Sequence, residues 1–92
     1  MYLILMNPNT NERSTYKGAI CVIDGKPWYV TNLQRPDIYA SEGEANKVIR
    51  KLARFNKAVE FIVVSVGAYV NMIDDNILSK WVAQLKMEQL EL

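Results

Sequence analysis

The sequence predicts an α+β fold, a four-stranded mixed sheet with two helices in the order β-β-β-α-β-α. Three observations indicate this fold. An Asp24-Gly25 pair separates two strand-like segments, a capping signal at Ser41 opens a helical pattern, and the run AVEFIVVSV after that helix is rich in β-branched residues. The 92 residues contain no linker or repeat and therefore predict one domain over residues 1–92.

The first strand is predicted over residues 2–6, where YLILM is a short, continuous apolar run. Such a run is typical of a strand that is buried on both faces. Residues 7–15, NPNTNERST, have turn chemistry without periodicity. They are expected to form a connection longer than a hairpin needs.

Residues 18–31 predict a β-hairpin, because Asp-Gly favours a type I′ turn in which both central residues have positive φ. The turn fixes a register in which Ile23 faces Lys26, Val22 faces Pro27, Cys21 faces Trp28 and Ile20 faces Tyr29. Proline donates no hydrogen bond, so the strand containing Pro27 should be an edge. Successive side chains alternate between the faces of a strand, so one of Trp28 and Tyr29 should lie beneath the helix and the other outside it.

The first helix is predicted over residues 42–57. It should begin after Ser41, because Ser41 and Glu44 have the spacing of a capping box, and end at Asn56 and Lys57. Its apolar stripe contains Ala45, Val48, Ile49, Leu52 and Phe55. A strand over residues 59–66 follows and is expected to end at Gly67. A right-handed crossover through the helix would make this fourth strand parallel to the first, in the spatial order 3-2-1-4.

A second helix is predicted to begin at Asp74 or Asp75, which can cap it, and to run to about residue 90. Its apolar stripe contains Ile77, Leu78, Trp81, Val82 and Leu85. Residues 68–73 are compatible with a strand extension or with a lead-in to this helix. The helix either covers the second face of the sheet or meets another subunit through Leu78, Trp81 and Leu85, which would make a homodimer.

The residue types that most enzymes need are missing or isolated. The chain has no histidine and its four glycines stand apart, so there is no His-based nucleophile pair and no glycine-rich phosphate loop. The single cysteine, Cys21, falls in a strand pattern and should be a buried thiol. Asp74-Asp75 is explained better as a helix cap than as a magnesium site. We expect no enzyme, no metal and no cofactor.

Cellular location is constrained by composition. No apolar run approaches the about 18 residues that a membrane span needs, and residues 1–6 lack the features of a signal peptide. One cysteine suits a reducing compartment. The expected location is the cytoplasm.

The sharpest functional feature is a run of positive charge, because residues 45–57 carry five basic and no acidic residues although the net charge is only +1. The five are Lys47, Arg50, Lys51, Arg54 and Lys57, and they form a stripe along the first helix. Three explanations stay open: docking to an acidic protein surface, neutralisation of nucleic-acid phosphates, or a solvated face. Trp28, Tyr29 and Tyr39 are candidate aromatic contacts.

Residues 19–66 resemble a pattern common in small phage and prophage proteins. The shared features are a hairpin with an aromatic-rich second strand (PWYV), a helix beginning with SEGEA, the helix segment KVIRKL and an apolar strand. The resemblance implies a non-enzymatic accessory factor, or an inhibitor of host defence of the anti-CRISPR kind. Its partner would be a host protein, such as a defence or nucleic-acid enzyme. A nucleic-acid-binding module that uses the basic stripe is the alternative.

Overall fold

The computed structural model describes residues 1–8, 16–30, 35–54, 57–73 and Ser79. Its elements are β1 (Tyr2–Met6), β2 (Ile20–Ile23), β3 (Lys26–Tyr29), α1 (Glu42–Ala53), β4 (Phe61–Ser65) and α2 (Val66–Val70). The α+β class is confirmed, and the first five elements follow the predicted order. The second helix is a different one from the helix predicted at Asp74, which lies outside the described residues.

The four strands form two antiparallel pairs, β1–β4 and β2–β3, so the predicted four-stranded mixed sheet is wrong. The predicted parallel pairing of β4 with β1 is also wrong, because the two strands run antiparallel. The path before α1 explains the difference. The chain returns past β2 to pair Tyr39 with Tyr2 at the start of β1, and α1 begins there. β4 therefore starts beside Asn7 at the opposite end and runs back along β1.

The two sheets meet at one bridge, Leu5–Ala19, supported by a 2.8 Å hydrogen bond from the Met6 N–H to the Gly18 carbonyl. Beyond that bridge β1 and β2 do not pair with each other. Residues of the 35–39 segment form hydrogen bonds with both strands instead. Tyr39 exchanges two backbone hydrogen bonds with Tyr2, at 2.9 and 2.8 Å. This segment keeps β1 and β2 from forming a continuous ladder along their length.

The predicted hairpin register is confirmed in all four pairs. Asp24 and Gly25 have φ values of 53° and 76°, the positive angles that a type I′ turn requires. Among the described residues β3 has β2 as its only strand neighbour, as expected for the strand that contains Pro27.

The predicted start of α1 is also confirmed, but the predicted end at Asn56 and Lys57 is wrong, because the helix ends at Ala53 with Arg54 as its C-cap. The Ser41 hydroxyl accepts a hydrogen bond from the Glu44 N–H at 3.2 Å, and the Glu44 carboxylate accepts one from the Ala40 N–H at 3.2 Å. Ala45 and Leu52 of the apolar stripe are buried, whereas Phe55 lies outside the described residues. The helix is thus fixed both at its first turn and along one face.

Two hydrophobic clusters form the core, and β1 contributes to both because its side chains alternate. Ile4 and Met6 pack with Ile20, Ala45 and Leu52 beneath α1. The opposite cluster is built from seven buried residues, Leu3, Leu5, Tyr16, Ala19, Val30, Tyr69 and Ile73. The prediction that β1 is buried on both faces is therefore correct.

The end of β4 differs from the prediction, because the strand stops at Ser65 and Gly67 lies inside α2. The Ser65 hydroxyl accepts a hydrogen bond from the Ala68 N–H at 3.1 Å, which caps this short helix. Tyr69 of α2 is fully buried, and its hydroxyl donates to the Tyr16 carbonyl at 3.0 Å. These contacts anchor α2 in the second cluster.

Candidate functional site

The predicted basic stripe is a solvent-exposed surface on α1, and we call it the basic face. All five of its cations are exposed, namely Lys47, Arg50, Lys51, Arg54 and, in the turn after the helix, Lys57. A helix turns by about 100° per residue, so Lys47, Arg50 and Lys51 lie opposite the stripe that contains Ala45 and Leu52, and Arg54 follows them at the C-cap. The apolar stripe therefore holds α1 against β1 and β4 while the basic face points away from the sheet.

The basic face is not neutralised by the part of the chain that the structure describes, since none of its cations forms an ion pair there. Glu42 and Glu44 lie in the first turn of α1, and Arg50 and Lys51 lie in the last. This order of charges is favourable for the helix dipole, which explains why Arg50 and Lys51 lie near the end of the helix. Lys47 in the middle of the helix has no such explanation.

A second feature is an open groove of about 830 Å³ beside the β2–β3 turn. Met6 and Val59 line one side, and Pro27, Trp28 and Tyr29 line the other. Its charged lining residues are Asp24 and Lys26, one of each sign. The groove therefore offers apolar and aromatic surface without a net charge.

The candidate aromatic residues occupy different environments. Trp28 is 55% exposed in the groove. Tyr29 and Tyr39 are half-buried and pack against the cluster beneath α1, which confirms the predicted division between Trp28 and Tyr29. None of the three lies on the solvent side of α1. The structure therefore brings the cations together, but it does not place the aromatic rings beside them.

Cys21 is buried in β2, as predicted. Burial raises the pKa of its thiol, and the negative charge of Asp37 raises this pKa further. A thiol held in its neutral form is a poor nucleophile. Within the described ranges, no group of three or more His, Cys, Asp and Glu side chains is placed to hold a metal ion.

Two further predictions concern subunit contacts and membranes. Leu78, Trp81 and Leu85, the candidate dimer contacts, lie outside the described residues. The described helices include none that is long and apolar enough to cross a bilayer.

Sequence patterns located the cations and the hairpin, but they did not predict the groove or the contribution of Met6, Asn7 and Val59 to its lining. Local periodicity carries no signal for these residues, because only the antiparallel return of β4 brings Val59 beside Met6. Comparisons of this chain with protein-family models, with characterised proteins and with solved structures find no match.

Proposed function

We propose that this protein is a non-enzymatic interaction domain whose basic face binds an acidic surface of a partner protein. One observation carries the proposal: the five exposed cations along α1 and the turn after it have no ion-pair partner within the described part of the chain. Uncompensated charge of one sign steers association with a surface of the opposite sign. A face of mixed charges would serve solubility better.

The mounting of α1 supports this proposal. The helix is capped at Ser41 and buries Ala45 and Leu52 against the strands, so its cations are presented on a fixed scaffold. Preorganised side chains lose less conformational freedom on binding than those of a flexible tail. The resemblance of residues 19–66 to small phage proteins supports a role as an inhibitor or accessory factor that acts on a host protein in the cytoplasm.

Nucleic acid is the second candidate, because the same cations could neutralise phosphates. The positions of the aromatic side chains favour a protein partner. Binding of single strands uses aromatic rings beside the cations, whereas Tyr29 and Tyr39 pack beneath α1 and Trp28 lies in the groove. Binding to duplex phosphates needs no aromatic ring. An experiment is therefore required to distinguish it from protein binding.

The test uses three immobilised forms: wild type, Arg50→Lys/Arg54→Lys, and Arg50→Glu/Arg54→Glu. Each is exposed to nuclease-treated bacterial lysate and to duplex DNA at about 150 mM salt, where weak phosphate contacts are largely screened. The expected result is a defined protein band retained by the wild type and the lysine form and lost by the glutamate form. Lys17→Glu, an exposed charge reversal outside α1, should retain the band.

Two results would contradict this proposal. A bound band that does not respond to Arg50→Glu/Arg54→Glu would remove the basic face from the interaction. Retention of duplex by the wild type, lost in the glutamate form, would put nucleic acid first. Circular dichroism of all forms checks that the fold is intact, because both arginine side chains are exposed.

A further inference from the structure

The outer edge of β4 carries backbone groups without a partner among the described residues. In the β1–β4 ladder the Asn7 N–H donates to Glu60, and the Val66 N–H donates to Met1. Hydrogen-bonded and non-hydrogen-bonded pairs alternate in an antiparallel ladder, so Ile4–Val63 and Met6–Phe61 are non-hydrogen-bonded pairs. The N–H and C=O groups of Phe61 and Val63 therefore point away from β1. The backbone of β1 shows the same alternation. Met6 and Tyr2 donate their hydrogen bonds away from β4, to the carbonyls of Gly18 and Tyr39.

Within the described ranges, β3 and β4 each have one edge without a strand neighbour, and these two edges differ in their protection against pairing with another strand. β3 has a proline and a lysine, Pro27 and Lys26, which both oppose pairing with another strand. β4, with the sequence FIVVS, has neither a charge nor a proline. All five of its residues are half-buried, so they stay in partial contact with solvent. An uncharged edge strand of this composition is a template for pairing.

We propose that β4 pairs antiparallel with β4 of a second copy of this chain, which makes a four-stranded sheet across a twofold axis. With the axis at Val63, Phe61 lies opposite Ser65 of the second copy and Ile62 lies opposite Val64. The N–H of each Val63 then donates to the carbonyl of the other Val63, which satisfies the backbone groups of this residue that face away from β1. No charged residue lies within this register, so self-pairing meets no like-charge repulsion between the strands.

The helices contribute a second contact in this arrangement. α1 packs across both β1 and β4, and neighbouring strands lie about 4.8 Å apart, so the axes of two α1 copies would be about 10 Å apart. This is the separation at which helices pack. It also sets the two basic faces side by side and doubles the charged surface. Repulsion between them opposes the dimer, so dimerisation should strengthen as salt screens the charges.

The test combines light scattering with amide hydrogen exchange of the unmodified protein over a range of concentrations. The expected mass at high concentration is twice the 10.6 kDa of the single chain. The Ile62 and Val64 amides, which face β1, should exchange slowly at every concentration. The Phe61 and Val63 amides should exchange slowly in the dimer and at least about tenfold faster after dilution to the monomer.

Val63→Pro removes an N–H that the β1–β4 ladder does not use, so it should weaken dimerisation by about tenfold or more. Val63→Ala trims the side chain but keeps this N–H, and it should stay dimeric. A single-chain mass at all concentrations would overturn the proposal. So would a dimer whose Phe61 and Val63 amides exchange fast, or a monomer in which they are slow. Exchange of the unmodified protein decides the question even if Val63→Pro fails to fold.

Discussion

The Asp37 carboxylate accepts a hydrogen bond from the Val22 N–H at 2.7 Å. The Asp37 N–H in turn donates to the Ile20 carbonyl at 3.3 Å. A single residue from the loop before α1 therefore satisfies two backbone groups, the Val22 N–H and the Ile20 carbonyl, on the side of β2 that faces away from β3. Asp37 takes the position that a neighbouring strand would occupy, and this is one reason why the two sheets stay separate.

Removal of the Asp37 carboxylate should destabilise the fold. We expect Asp37→Ala to lower the free energy of unfolding by about 1–3 kcal/mol, because the half-buried Val22 N–H loses its acceptor. Asp37→Asn keeps an oxygen at this position and should cost less. Urea unfolding at neutral pH measures both changes. An alanine variant as stable as the wild type would show that water replaces the carboxylate without loss.

Gly18 should tolerate alanine less well than Gly25 does, although both have positive φ. A Cβ at Gly18 would lie 3.1 Å from the Met6 carbonyl oxygen, whereas one at Gly25 would meet no atom within 4 Å. Gly18 also accepts the Met6 hydrogen bond, so the two segments cannot separate without breaking it.

We therefore expect losses of about 2 kcal/mol or more for Gly18→Ala and about 1 kcal/mol for Gly25→Ala, measured by urea unfolding. Equal losses would show that conformational strain alone sets the cost at both glycines and that the contact with Met6 adds nothing.

The cap of α1 should contribute to stability but not to binding. Ser41→Ala removes the acceptor for the Glu44 N–H and should lower the free energy of unfolding by about 1 kcal/mol. Ser41→Asp restores an acceptor at the helix start and should recover most of this loss. Thermal melts of the three forms provide the measurement. If the alanine and wild-type melts coincide, the hydrogen bond is not formed in solution.

Stability should fall in alkaline solution because of Tyr39. Burial is the largest cause that raises the pKa of Tyr39 from 10.0 to about 12, and the charges of Asp37 and Cys21 act in the same direction. A raised pKa means that the folded state favours the neutral phenol. Its contribution is therefore complete below about pH 10 and is lost as pH rises toward about 12.

Urea unfolding at about pH 9 and about pH 11 should show this decrease, and Tyr39→Phe should reduce it. The backbone bonds between Tyr39 and Tyr2 remain in that variant, so the comparison isolates the phenol. Burial also raises the pKa values of Tyr16 and Tyr69, so part of the decrease should persist. A decrease unchanged by Tyr39→Phe would assign all of it to other groups.

Short-range chemistry determined much of this fold. The Asp24-Gly25 turn set the hairpin register, because its positive φ values allow only a narrow set of strand twists. The spacing of Ser41 and Glu44 determined where α1 begins, and the 3.6-residue period determined that its cations lie opposite its apolar stripe. Each of these features depends on residues at most a few positions apart, so the local sequence is enough to predict it.

Only the tertiary structure decided how the strands assemble. The direction of β4 depends on where the chain enters α1, and pairing of Tyr39 with Tyr2 places that point at the start of β1. The separation of the sheets depends on Asp37, whose contacts with Val22 and Ile20 of β2 join residues 15 and 17 positions apart. Loop packing of this kind leaves no periodic signal in the sequence. The same return of β4 sets Val59 beside Met6 in the groove. It also leaves the outer edge of β4, at Phe61 and Val63, without a strand neighbour among the described residues.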